Sequence, residues 1–103
     1  MKEDKPRPYK FAEEVSDELS THFNNLASEI MKESALSSKD KSLIALACAV
    51  ALNCQYCIIA HKDNAIKAGA TKEEILEASA VAGQVRLGSS FTYASFILED
   101  NED

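Results

Sequence analysis

Two cysteines and a histidine lie close together in the segment LNCQYCIIAH, residues 52–61. Cys54 and Cys57 are three residues apart and His61 follows four later, which places the three side chains on one face of a helix that begins at Cys54. The start of a helix favours a thiolate over a thiol, and a neutral histidine nearby can accept the proton. The second cysteine can then close a disulfide, because Cα atoms one helical turn apart lie within disulfide range. The spacing therefore predicts a dithiol redox site.

Two other interpretations of these residues stay open. A metal could bind the cysteine pair and His61, but a structural zinc site takes four ligands. Cys48 and His22 are the only other cysteine and histidine that could serve as the fourth ligand. We therefore do not assign any residue as a metal ligand. Alternatively, the pair belongs to the core of an apolar segment. Cys48 itself is expected in the core, because it lies within an apolar run, and His22 is expected at the surface.

The chain around this segment shows helical periodicity. From Phe11 to Ile30, apolar residues recur every three or four positions, which predicts an amphipathic helix that ends near residues 34–36. Further helices are predicted at about 38–52, 54–68, 72–86 and 91–98. No alternation with a period of two residues persists. The predicted fold class is therefore all-α, with about five helices.

Local signals mark the ends of several predicted helices. Asn53 is expected to cap the helix that starts at Cys54, and Gly69 is expected to end that helix in the left-handed conformation. Thr71 and Glu74 form a capping-box pattern for the next helix. Residues 88–90, Gly-Ser-Ser, are expected to break that helix before the last one begins.

The second predicted helix lacks a polar face. Residues 43–52 are all apolar and rich in alanine, whose small side chain lets neighbouring backbones come close. A helix without a polar face must be covered on every side, and a chain this short buries only a modest core. We therefore expect other subunits to cover it in a homo-oligomer.

Length and charge set broad limits on the protein. The 103 residues correspond to one domain, with an extended arm at residues 1–10 and an acidic tail at residues 99–103. A net charge of −6 argues against nucleic acid as a partner. The longest apolar run, ten residues, is too short to span a membrane, which takes about 20. With no leader pattern in MKEDKPRPYK, the expected location is the cytoplasm, where a close cysteine pair is seldom structural.

The middle of the chain, residues 36–78, resembles the carboxymuconolactone decarboxylase superfamily. Within it, the segment is most similar to the alkylhydroperoxidase branch, the AhpD-like proteins. The shared features are a Leu-Ser opening, a lysine-rich start before Leu-Ile-Ala-Leu-Ala, the motif C-x-x-C-x-x-x-H, and the run Lys-Ala-Gly-Ala-Thr-x-Glu-Glu-Ile.

This resemblance implies an all-α fold that assembles as a dimer, trimer or hexamer. We expect no cofactor. Cys54 and Cys57 would cycle between dithiol and disulfide, and His61 would be the proton-relay base. The substrate implied is a small peroxide or disulfide, and the electron donor is of the lipoyl or thioredoxin type. The decarboxylases of the superfamily generally lack the cysteine pair, which counts against that activity.

The sequence departs from the family pattern at one position. Family members usually carry a glutamate twelve residues ahead of the first cysteine, where this chain has Ser42. Serine brings no charge to support His61, so weak peroxidase turnover is expected. The alternatives are a redox-sensing or scaffold protein, or a metal site at the cysteine pair and His61. Tyr56, between the cysteines, is a candidate for lining the pocket.

Overall fold

The computed structural model describes residues 5–100, and all of their regular structure is helical. The elements are α1 (Arg7–Val15), α2 (Asp17–Met31), α3 (Ser38–Ala51), α4 (Gln55–Lys67), α5 (Lys72–Ala94) and a closing 3₁₀ turn (Ser95–Leu98). The prediction of an all-α fold with five helices is confirmed. The chain divides into two compact units, with the boundary between Ser38 and Lys39. Residues 101–103 of the predicted acidic tail, and residues 1–4 of the predicted arm, lie outside the described residues.

The first unit contains two helices where one was predicted. Ser16 adopts an extended backbone conformation, and its hydroxyl accepts a hydrogen bond from the Leu19 N–H at 3.0 Å. It therefore caps a new helix, which the run of apolar residues alone did not reveal. The Tyr9 and Phe23 rings form a T-shaped pair, with centroids 4.9 Å apart, and this contact packs α1 against α2.

The prediction of an extended arm over residues 1–10 is wrong from residue 7 onward. Helix α1 begins at Arg7, directly after Pro6, and Pro8 lies in its first turn. Proline is tolerated there because the first N–H groups of a helix have no partner within the helix. The two prolines thus mark a helix start rather than an extended segment.

Helix α3 buries one narrow face. Its buried residues are Ser42, Leu46 and Ala49, spaced as one helical stripe, and Leu46 is the largest fully buried side chain among the described residues. The prediction that Cys48 lies in the core is wrong for the single chain: the residue is exposed and its thiol is free. It lies in the apolar run but off the buried stripe.

The end of α4 and the start of α5 follow the sequence signals. Gly69 has a φ of 99°, and the Ala70 N–H donates to the Ala65 carbonyl at 2.9 Å, as in a Schellman motif. Thr71 and Glu74 then form the predicted capping box. The predictions of a left-handed Gly69 and of a capping box at Thr71 are both confirmed.

Helix α5 is longer than predicted. It continues without a break through Gly88 to Ala94, so the predicted separate helix over 91–98 is the last part of α5 followed by a 3₁₀ turn. One glycine in a helix interior costs only about 1 kcal/mol relative to alanine, which does not suffice to end a helix. No described helix is both long and apolar enough to span a bilayer.

Candidate functional site: a disulfide at the start of a helix

The structure joins Cys54 and Cys57 in a disulfide, with their Cα atoms 5.2 Å apart. Both residues are half-buried. Cys57 lies in the first turn of α4, and Cys54 immediately precedes that helix. The two residues that the sequence selected are therefore brought together by a single helical turn, without help from distant chain.

Cys54 belongs to two helix ends at once. Its N–H donates to the Ala49 carbonyl at 3.1 Å, while the Asn53 N–H donates to the Val50 carbonyl at 3.1 Å. This pair of bonds is a Schellman motif that ends α3. On its other side, the Cys54 Sγ accepts the Cys57 N–H at 3.2 Å and so caps α4. One residue thus connects the two helices.

The prediction that Asn53 caps the helix starting at Cys54 is wrong. Asn53 has a φ of 57°, so it is the left-handed residue that ends α3, and Cys54 is the N-cap of α4. Asparagine favours both positions, because its short polar side chain tolerates the left-handed conformation as well as capping. The sequence therefore located the break between helices but assigned the cap one residue too early.

Arg86 supports this turn from helix α5. Its guanidinium donates a hydrogen bond to the carbonyl of Ala51, the last residue of α3. The Schellman bonds use the carbonyls of Ala49 and Val50, so Arg86 satisfies the next carbonyl along. Sequence reasoning missed this residue. Its signal was present, since Arg86 is the single charged residue between positions 78 and 98.

His61 lies one turn beyond Cys57 on α4 and is half-buried. Its Nδ1 atom is fully buried and has no hydrogen-bond partner among the described residues. Ser42, at the position where the family pattern has glutamate, is 5% exposed. A buried nitrogen without a partner costs about 1–3 kcal/mol and is uncommon in folded proteins. The site thus has a histidine with one unfilled hydrogen-bonding position.

Tyr56 lines a cavity that does not include the cysteine pair. It lines an open cavity of about 380 Å³ along α4, together with Ile59, Ala60, Lys62, Asp63 and Ile66. Neither cysteine lines this cavity, and neither does His61. Successive helical residues are turned by about 100°, so Tyr56 lies beside the face that carries Cys57 and His61. Its role as a pocket residue for the dithiol stays a prediction.

The residues 5–100 contain no group of three or more histidine, cysteine, aspartate or glutamate side chains placed to hold a metal ion. In the disulfide form, Cys54 and Cys57 have no thiolate to offer as a ligand. A metal site at these residues would therefore require the reduced chain.

A family model and one solved structure name the same family for proteins similar to this chain. A model of the carboxymuconolactone decarboxylase family matches residues 17–100. A relative from Paracoccus denitrificans, named uncharacterized protein 4 in cox locus, is 37% identical over 73 residues, which are 71% of this chain and 66% of that protein. This chain therefore spans slightly less than two thirds of that relative.

Two crystal structures share the fold. A protein from Methanobacterium thermoautotrophicum, solved in a structural genomics programme, is 38% identical with a TM-score of 0.79, covering 86% of this chain and 99% of its own. An apo carboxymuconolactone decarboxylase family protein from Legionella pneumophila is 42% identical with a TM-score of 0.70, covering 86% and 79%. With the family match over most of its length, this chain belongs to the carboxymuconolactone decarboxylase family.

Proposed function

We propose that this protein is a thiol–disulfide oxidoreductase of the alkylhydroperoxidase-like kind, which reduces small peroxides or disulfides. The observation that carries the proposal is the Cys54–Cys57 pair at the start of α4, with His61 one turn further along the same helix. Membership of a family that includes decarboxylases and alkylhydroperoxidases supports it. The cysteine pair favours the second of these activities.

The proposed reaction begins with the reduced pair. A thiolate of Cys54 or Cys57 attacks the peroxide oxygen, the O–O bond breaks, and the cysteine becomes a sulfenic acid. The alkoxide that leaves takes a proton from the protonated His61 and departs as an alcohol. The other cysteine then attacks the sulfenic acid, which releases water and forms the disulfide. An external dithiol of the lipoyl or thioredoxin type restores both thiols and is itself oxidised to a disulfide.

The helix start explains why this pair suits the reaction. The Cys57 N–H already points at the Cys54 sulfur at 3.2 Å, and an N–H donor stabilises a thiolate more than a thiol. The first turn of α4 contains no acidic residue that would oppose the negative charge. In keeping with this chemistry, we also propose that the protein works in the cytoplasm as a homo-oligomer.

The test is a redox titration in dithiothreitol buffers, read by alkylation and intact mass. We expect the wild type to lose two alkylation sites reversibly, at a potential within roughly −220 to −320 mV. Cys54→Ser and Cys57→Ser should each abolish that two-electron step. Cys48→Ser is the matched control, because Cys48 is free and exposed; it should remove one alkylation site and leave the titration unchanged.

A second assay separates turnover from redox sensing. The reduced protein is mixed with an organic hydroperoxide and reduced lipoamide, and peroxide consumption is followed. Sustained consumption that requires both cysteines supports the oxidoreductase. If the disulfide forms reversibly without turnover, a redox-sensing protein is the better assignment, and Ser42 in place of glutamate favours that candidate. If no disulfide forms under oxidation, both assignments fail.

A further inference from the structure

Cys54 lies where two helix ends of opposite partial charge meet. It is the N-cap of α4, and the first N–H groups of a helix carry a partial positive charge. Its own N–H donates to the Ala49 carbonyl in the motif that ends α3, and the last carbonyls of a helix carry a partial negative charge. The start of α4 therefore favours a thiolate at Cys54, whereas the end of α3 opposes one.

Neither helix supplies a charged side chain that would decide this balance. The last turn of α3 has no basic residue, and the first turn of α4 has no acidic one. Residues 42–61 contain no lysine, arginine, aspartate or glutamate. Besides Cys54, the titratable side chains of this stretch are Cys48 on α3, and Tyr56, Cys57 and His61 on α4. A fixed charge that acts on Cys54 must therefore come from a segment that is distant in sequence.

Arg86 supplies a fixed charge from α5. Its guanidinium donates to the carbonyl of Ala51, the last residue of α3. Within residues 5–100, Arg86 forms no ion pair with a carboxylate, so its positive charge is not neutralised. The chain has no other charged residue between positions 78 and 98. No carboxylate on this part of α5 therefore opposes the guanidinium.

The guanidinium is bonded close enough to Cys54 to act on its sulfur. Ala51 precedes Cys54 by three residues, which span at most about 11 Å when fully extended. Here the chain turns back, since the Cys54 N–H donates to the Ala49 carbonyl at 3.1 Å. Salt at 0.1 M screens exposed charges over about 10 Å. Arg86 therefore favours a thiolate in two ways: as a nearby cation, and by offsetting the negative end of α3.

We propose that Arg86 is a positioning residue for the dithiol site, and that its guanidinium on the Ala51 carbonyl stabilises the thiolate form of Cys54 in the reduced protein. The proposal rests on the proposed function for its purpose, because the thiolate is the form that attacks a peroxide or a disulfide. The thiolate itself is measured without turnover. Failure of this proposal is therefore distinguishable from failure of the proposed function.

The first experiment follows the thiolate of Cys54 directly. In a parent chain with Cys48→Ser and Cys57→Ser, Cys54 is the single thiol, and the backbone N–H of residue 57 is retained. Its rate of alkylation by iodoacetamide is measured from acid to alkaline pH. We expect Arg86→Gln to move the midpoint of the pH–rate profile upward, so that the rate at neutral pH falls about threefold. Arg86→Lys keeps the charge and should lie closer to the parent.

Lys72→Gln is the matched control, because it removes one positive charge from an exposed residue of the same helix. At 1.5 Å per residue, Lys72 lies about 21 Å along α5 from Arg86, so its variant should have the profile of the parent. An Arg86→Gln profile that coincides with that of Lys72→Gln would overturn the proposal. If Arg86→Gln lowers only the melting temperature, Arg86 has a structural role and no effect on the thiolate.

The second experiment neutralises Arg86 without removing it, in case Arg86→Gln does not fold. Ser90→Glu places a carboxylate one helical turn from Arg86 at an exposed position, where the two side chains can form an ion pair. The guanidinium can still donate to the Ala51 carbonyl. We expect Cys54 alkylation at neutral pH to be about twofold slower than in Ser90→Gln, which has a side chain of the same size without a charge. Equal rates for the two Ser90 variants contradict the proposal.

Discussion

At the scale of single residues, His61 shows how a family pattern and this chain differ. Its Nδ1 is buried without a partner in the described part of the chain, and Ser42 stands where the pattern has a carboxylate. A carboxylate beside an imidazole orients the ring and makes it a stronger proton acceptor. A buried serine brings no charge. We therefore expect the serine to weaken the proposed proton relay of His61 more than the proposed disulfide chemistry of the cysteine pair.

A glutamate at position 42 should strengthen the proposed proton transfer through His61. For Ser42→Glu we expect the rate of cysteine alkylation in the reduced protein to rise about tenfold near neutral pH, with an altered pH–rate profile. Ser42→Gln is the control, because it has the same size and no charge. Stopped-flow alkylation of both variants over a pH series makes the comparison. Identical profiles for the two variants would remove the relay argument, and thermal melts show whether each folds.

At the scale of helices, the turn between α3 and α4 decides where the cysteines lie. Asn53 adopts the left-handed conformation, and the Schellman bonds around it hold Cys54 at the start of α4. A residue other than glycine or asparagine is strained at such a position. The conformation of one residue thus sets the position of the candidate site.

The effect of a substitution at Asn53 on stability should follow how well the new residue adopts the left-handed conformation. Asn53→Ala should lower the free energy of unfolding by about 1 kcal/mol, because alanine disfavours the left-handed conformation. Asn53→Gly should be neutral or stabilising. Urea unfolding measures both. Asn64→Ala, at an exposed position within α4, is the control and should be neutral or slightly stabilising. A loss of stability in the glycine variant equal to that in the alanine variant would contradict this account.

At the scale of the molecule, one ion pair connects helices that are distant in sequence. The Lys39 Nζ at the start of α3 lies 2.9 Å from the Glu74 Oε2 in the first turn of α5. The other Glu74 oxygen accepts the Thr71 N–H at 2.9 Å in the capping box. The Thr71 bond and the Lys39 ammonium lower the pKa of Glu74 below its ordinary value. The Glu74 carboxylate raises the pKa of Lys39.

These shifts predict how stability depends on pH. A lowered carboxyl pKa contributes stability above the ordinary value of 4.5, and the contribution is lost as pH falls through the lowered pKa. A raised lysine pKa contributes below 10.5 and is lost as pH rises through the raised value. Glu74→Gln keeps a capping-box side chain but has no charge. Its unfolding free energy should therefore fall less steeply below pH 4.5 than that of the wild type.

The control for this measurement is the neighbouring carboxylate. Glu73→Gln changes an exposed residue in the same first turn of α5. Both variants lose one charge near the helix start, so the difference between them isolates the capping box and the ion pair. Denaturant unfolding between acid and neutral pH gives the curves. The prediction is wrong if Glu73→Gln flattens the acid limb as much as Glu74→Gln does.

The part of the fold that was predictable from sequence is the part that neighbouring residues decide. Thr71 caps α5 through a residue three positions away, and Gly69 ends α4 through bonds that span at most five residues. The pairing of Cys54 with Cys57 has the same character. Where a local signal allowed two outcomes, the prediction failed: Asn53 ends one helix rather than starting the next, and Pro6 opens α1.

By itself, the sequence determined the all-helical class, the turns at Asn53 and Gly69 and the close approach of the two cysteines, because bonds between near neighbours suffice for each. The tertiary structure decided which side of each helix is covered. It exposes Cys48 within an apolar run and brings Arg86 to the carbonyl of Ala51. It also buries the Nδ1 of His61 without a partner among residues 5–100. Burial and long-range hydrogen bonds depend on segments that are distant in sequence, and no local pattern specifies which residues those segments contribute.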